Sequence, residues 1–128
     1  MWRLTKSILL AALLSGASVV LASCKNEDGQ AAPFQTASAR EGVRVIRQAG
    51  CGSCHTIPGI ENADGLVGPP LDHMGHRIFI AGVLRNTPDN MVAWLRDPQR
   101  IVPGNAMPVM GLSEKQAQAI TDYLYSLP

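Results

Sequence analysis

Cys51-Gly52-Ser53-Cys54-His55 places two thiols and an imidazole within five residues, and any fold for this chain must be arranged around them. The motif lies in a stretch of about 90 residues, 39–128, that holds no other cysteine. A domain of that size struggles to bury enough apolar surface with side chains alone, and two cysteines are too few for a disulfide scaffold. A bare Cys51–Cys54 disulfide leaves His55 without a role. A thioredoxin-like pair calls for strand–helix alternation, which this chain does not offer. A four-ligand zinc site needs a second ligand pair at the right spacing, yet His73 and His76 sit in a glycine-rich turn with no cysteine beside them. C-x-x-C-H is also the attachment site of c-type haem, and that reading uses all three side chains. Thiols three apart on one side of a tight turn can add to the two vinyl groups of one haem c. His55 then comes under the iron as proximal ligand. A large flat apolar cofactor also supplies the core that the chain lacks.

The opposite side of the iron has several candidates: His73, Met74, His76, Met91, Met107 and Met110. Met91 belongs to a helix expected over Pro88 to Asp97, with Thr87 as N-cap, Pro88 at the first position and Pro98 as the stop. There it shares a face with Trp94 and Leu95 at i, i+3, i+4, which reads as core. Met74 comes soon after the motif, on a Gly- and Pro-rich stretch that still covers the proximal side. His73 and His76 as axial ligands remain an alternative, although solvated turn histidines are the commoner outcome. Met107 is the preferred ligand. It lies in Pro103-Gly104-Asn105-Ala106-Met107-Pro108, which cannot be helical, and Pro108 biases it toward extended backbone. An extended loop can lay a thioether sulfur along a haem face, with Met110 as the alternate; the plain competing role is a Met filling a loop gap.

The remaining elements read as helical. Ser113 and Gln116 form a capping box, followed by Ala117, Ile120, Leu124 and Leu127 on one face. Arg40 to Ala49 carries Val43, Ile46 and Ala49 on another, leading straight into the cysteine motif. Gly42 inside that helix costs about 1 kcal/mol relative to Ala, which points to a close helix crossing. Ile78 to Leu84 is a short apolar run, either extended or helical.

Ahead of the domain, Arg3 and Lys6 precede Ser7 to Ala22, 16 residues without a charge. That is short of the roughly 20 needed to cross a bilayer, and its end is rich in small residues, as in a secretory signal. Leu21-Ala22-Ser23-Cys24 resembles the lipobox of bacterial lipoproteins. Residues 1–23 are therefore read as a lipoprotein signal peptide, Cys24 as the acylated residue, and 24–38 as a polar flexible tether reaching roughly 20 Å. The competing reading is an uncleaved anchor. Either way the domain is exported, facing the periplasm or the outer side of the cytoplasmic membrane. Within 39–128, eight Lys or Arg balance eight Asp or Glu, which argues against nucleic acid as a partner.

Taken together, residues 39–128 resemble a class I cytochrome c, in Gly42 on the first helix, CGSCH, Gly68-Pro69-Pro70-Leu71, the Met-Pro loop and Tyr123-Leu124 on the last helix. Residues 68–127 look most like the cytochrome c domain fused to subunit II of some haem-copper oxidases, through GPPL, AGVLRNTPDNMVAWLRDPQ and PGNAMP. The resemblance implies an all-α fold wrapped around one covalently bound haem, with Gly42 packed on Tyr123 or a neighbour. It implies that the Pro69 carbonyl accepts a hydrogen bond from His55, and that Arg77 and Trp94 donate to the haem propionates; the competing roles are a solvated surface charge for Arg77 and a core aromatic for Trp94. It further implies an electron carrier and no enzyme, exchanging electrons with a terminal oxidase, a quinol-oxidising complex or another cytochrome. A haem enzyme or gas sensor with an open sixth position is the rival, and an accessory subunit of a larger complex is a third reading.

Overall fold

The computed structural model describes residues 36–128; the expected signal peptide, Cys24 and the expected tether as far as residue 35 lie outside the described residues. The fold is all-α apart from one small hairpin. Helix α1 spans Ala37–Ala49 and helix α4 spans Glu114–Ser126, and their packing is the largest helix contact of the domain. Thr36 starts α1 by accepting a hydrogen bond from the Ala39 N–H. The helix thus begins ahead of Arg40, and Ala37 and Ser38 are helical where composition reads as tether. A threonine cap followed by alanine is a helix start that a polar count overlooks. Gly50, in the left-handed region at φ 70°, ends α1 by donating to the Arg47 and Ile46 carbonyls.

The buried stripe of α1 is Ala39, Gly42, Val45 and Ile46, with Val43 and Ala49 half-buried at its margin. Gly42 sets this rotation, because α4 passes directly over it. A methyl group there would lie 2.1 Å from the Ala119 carbonyl oxygen and 2.9 Å from Tyr123 Cβ. Two opposed effects decide the outcome of Gly42→Ala. Helix propensity gains about 1 kcal/mol, but separating two backbones in a packed core costs about 1–3 kcal/mol or more, and here the obstacle is a carbonyl that cannot rotate away. Net destabilisation by about 1–2 kcal/mol is expected, measured as a lower denaturant midpoint of the pigmented protein.

Helix α4 starts with a complete capping box: the Gln116 N–H donates to Ser113 Oγ at 3.3 Å, and the Ser113 N–H donates to Gln116 Oε1 at 3.0 Å. Ala117, Ile120, Leu124 and Leu127 are all buried, joined by Ala119, Thr121 and Tyr123, since α4 is covered by more than one neighbour. Helix α2, Pro88–Arg96, packs on its other side. Thr87 caps α2, and Met91 and Leu95 enter the core. Asp97 ends α2 and also starts α3, Pro98–Ile101, by accepting from the Arg100 N–H at 2.9 Å. Pro98 is therefore both a stop and a first helical position.

Between α1 and α2 the chain has only two 3-10 turns, Cys51–Ser53 and Met74–His76, and a hairpin of β1 (Phe79–Ile80) with β2 (Leu84–Arg85). Ala81 and Gly82, both at positive φ, turn this apolar run back on itself, so it is extended rather than helical. Asn86 ties the segment down, donating to the Met74 carbonyl at 2.6 Å and the Arg77 carbonyl at 2.8 Å, while accepting from the Tyr125 hydroxyl.

Candidate cofactor site

Because α1 stops at Gly50, the motif follows as a tight turn. The Cys54 and His55 N–H groups both donate to the Cys51 carbonyl, at 3.2 and 3.0 Å, and the Ser53 hydroxyl donates to the Gly50 carbonyl at 2.8 Å. Both thiols are free and half-buried. Burial pushes the Cys51 thiol above its usual range, with the neighbouring Cys54 adding in the same direction.

The segment 65–71 returns along the motif and is bonded to it repeatedly. The Gly65 N–H donates to the Gly52 carbonyl at 3.0 Å, Gly68 to Cys54 at 2.7 Å and Leu71 to Thr56 at 2.9 Å. His55 Nδ1 lies 2.7 Å from the Pro69 carbonyl oxygen. A carbonyl can only accept, so Nδ1 carries the proton and Nε2 keeps its lone pair. Such a bond orients a ligating imidazole and fixes its tautomer.

Gly68 explains why the ring can sit there. A Cβ at this position would fall 2.3 Å from His55 Cε1 and 2.6 Å from Nδ1. Sequence reasoning placed Gly68 in a motif but found no task for it; a non-helical glycine directly before Pro-Pro was the only signal. Gly68→Ala is expected to displace the imidazole or the return segment, lowering holoprotein stability by about 1–3 kcal/mol. An unaltered denaturation midpoint would show that the ring has room to move.

Met107 is half-buried against the core, as are Cys51, Leu71 and Trp94. The hydrophobic core cluster therefore gathers part of the attachment turn and the candidate distal methionine. Met91 and Met74 lie inside that core, while His73 and His76 are exposed on their turn. Met110 is half-buried. Arg77 folds back through Nη2 onto the Pro70 carbonyl at 2.6 Å, the Asp72 carbonyl at 3.0 Å and Asp72 Oδ1 at 3.1 Å. Sequence reasoning missed Gln99 and Asn105, whose amides hold the Met107 loop.

Free paired thiols beside an imidazole with an open Nε2 are the donor set that covalent haem requires, and the residues present fit it. Helices crossing at a glycine next to such a turn frame a single haem-attachment site. The chain belongs to the cytochrome c family, whose model, Cytochrome c, matches residues 39–128, and it is a monohaem class I member carrying covalently bound haem c with its iron. Over 90 residues it is 39% identical to cytochrome c oxidase subunit 2 of Alkalihalophilus pseudofirmus, a match covering 70% of this chain and 25% of that protein. It is 38% identical over 93 residues to the same subunit of Bacillus sp. strain PS3, covering 70% of this chain and 26% of the relative. The Bacillus subtilis subunit is 34% identical over 93 residues, with the same coverage. The chain thus spans about a quarter of the length of the curated relatives it matches.

Proposed function

We propose that this cytochrome carries electrons to a terminal oxidase through a haem held by Cys51 and Cys54, with His55 and Met107 as axial ligands. The haem supplies an iron that alternates between ferrous and ferric states. His55 presents Nε2 while the Pro69 carbonyl holds its ring. The Met107 thioether is a soft ligand that favours the reduced iron and raises the potential, as suits a carrier ahead of an oxidase. With both positions filled there is no site for a substrate, which favours a carrier over an enzyme. Arg77 and Trp94 are proposed as donors to the propionates. Nη2 of Arg77 is engaged with Pro70 and Asp72, and the rest of its fork is suited to an anion.

The observation that carries the oxidase reading is the 39% identity of this domain to an oxidase subunit across the whole of the matched region. The test is to mix the reduced protein with membranes holding a haem-copper oxidase and follow its oxidation. Fast, cyanide-sensitive oxidation is expected; none at micromolar protein would remove the oxidase as acceptor.

The apolar run before Leu21-Ala22-Ser23-Cys24 supports an exported, lipid-anchored protein on the outer side of the membrane. Cys24→Ala is expected to move the coloured protein into the soluble fraction, because the acyl chains that hold it firmly are lost. A variant still in the pellet would make the N-terminus an uncleaved anchor.

A further inference from the structure

The loop carrying Met107 has no helix or strand to satisfy its backbone, and two amide side chains do so instead. Gln99 Nε2 donates to the Asn105 carbonyl at 2.9 Å and the Met107 carbonyl at 2.7 Å, while Gln99 Oε1 accepts from the Gly104 N–H at 3.0 Å. Asn105 Nδ2 donates to the Pro98 carbonyl at 3.0 Å and the Val102 carbonyl at 2.7 Å, and its Oδ1 accepts from the Met107 N–H at 2.8 Å. Met107 is thus gripped on both sides of its own Cα, by Asn105 at the N–H and Gln99 at the carbonyl. Each amide has its two donors and its acceptor engaged, so neither can turn without breaking bonds. The pair also joins the loop to α3, since Gln99 lies in that helix and Asn105 bonds the carbonyl of its first residue.

We propose that Gln99 and Asn105 are positioning residues that hold the Met107 thioether on the iron by fixing its backbone from both sides. This rests on Met107 as axial ligand. A sulfur–ferric iron bond is weak, so its persistence depends on how rarely the loop swings away. An exogenous ligand binds only when the loop opens, and its apparent affinity reports that opening.

The test uses the holoprotein with same-sized substitutions. Gln99→Glu keeps an acceptor for the Gly104 N–H but sets carboxylate oxygen against two carbonyls. Asn105→Asp keeps the bond from the Met107 N–H but loses the donors to the Pro98 and Val102 carbonyls. Each oxidised protein is titrated with imidazole, following the weak red-end band of the sulfur–ferric bond. Both variants are expected to show the band without imidazole and to lose it at about tenfold lower imidazole than wild type, as fits the loss of two hydrogen bonds in each. Thr36→Ala removes the α1 cap far along the chain and serves as control. It should lower the denaturation midpoint while leaving the imidazole titration within about twofold, since a global loss leaves loop opening alone. If one amide variant fails to fold, the other decides. Wild-type imidazole affinity in a folded variant, with the band abolished in Met107→Ala, overturns the clamp and leaves the ligand in place. A band that survives in Met107→Ala overturns the ligand reading, and the clamp's role falls with it.

Discussion

A Cys51→Ala/Cys54→Ala double variant is expected to be colourless and to show no cooperative unfolding transition, with most of its helical signal lost. The reason lies in how little the polypeptide can do alone. From Gly50 to Thr87 it contains only 3-10 turns and a hairpin of two-residue strands, and so long an irregular stretch needs an external organiser. Among the described residues the two longest helices have 13 residues each, a length that is marginal in water without tertiary packing. Leu66 and Val67 are 88% and 74% exposed, so the segment next to the histidine gains little from apolar burial by the chain itself. A haem burying several hundred Å² at about 25 cal/mol per Å² contributes on the order of 10 kcal/mol. Small domains have about 5–15 kcal/mol in total. Losing the attachment therefore removes most or all of the margin. Circular dichroism against denaturant would check it, and a sigmoidal transition in colourless protein would show that the side-chain core suffices.

What could be read from the sequence follows from how local each interaction is. The cap pairs Thr87 with Asn90 and Ser113 with Gln116 act over three residues, so the starts of α2 and α4 were visible in the chain itself. The cysteine motif is equally local, and its chemistry names its cofactor. Gly42 was suspected because a helical glycine without a packing reason is costly, and Ala119 lying over it supplies that reason. The burial of Val45 in preference to Val43 was not legible, since both positions are valine and only the direction of α4 separates them. Nor was the short α3, where a proline marks a boundary without telling stop from start. The Gln99–Asn105 pair was least visible. Amides that bond loop carbonyls follow no period, although an Asn two residues ahead of a bonded N–H is a known turn pattern that would have singled out Asn105.

Met107→Ala carries the second large effect. Alanine retains the backbone bonds from the Met107 N–H to Asn105 and from Gln99 to the Met107 carbonyl, so the loop keeps its course and only the thioether is lost. Met107 is half-buried at the edge of the core, and the packing loss should stay near the lower end of the roughly 2–5 kcal/mol range for Met→Ala. The electronic loss is larger in consequence. Water or a harder ligand at the iron stabilises the oxidised state, so the potential falls; a hundredfold loss of preference for the reduced state corresponds to about 120 mV in a one-electron couple. The weak red-end sulfur band should vanish, and imidazole or cyanide should bind far more readily. Met110→Ala should do none of this, because Met110 lacks the two-sided backbone grip and the following proline that hold Met107 extended. If the band persists in Met107→Ala and disappears in Met110→Ala, the ligand is Met110, and the clamp serves only the loop. If the wild type has no sulfur band at all, the sixth position is filled by nitrogen or left open: a histidine-ligated haem keeps the carrier role, and an open position replaces it with a ligand-binding one.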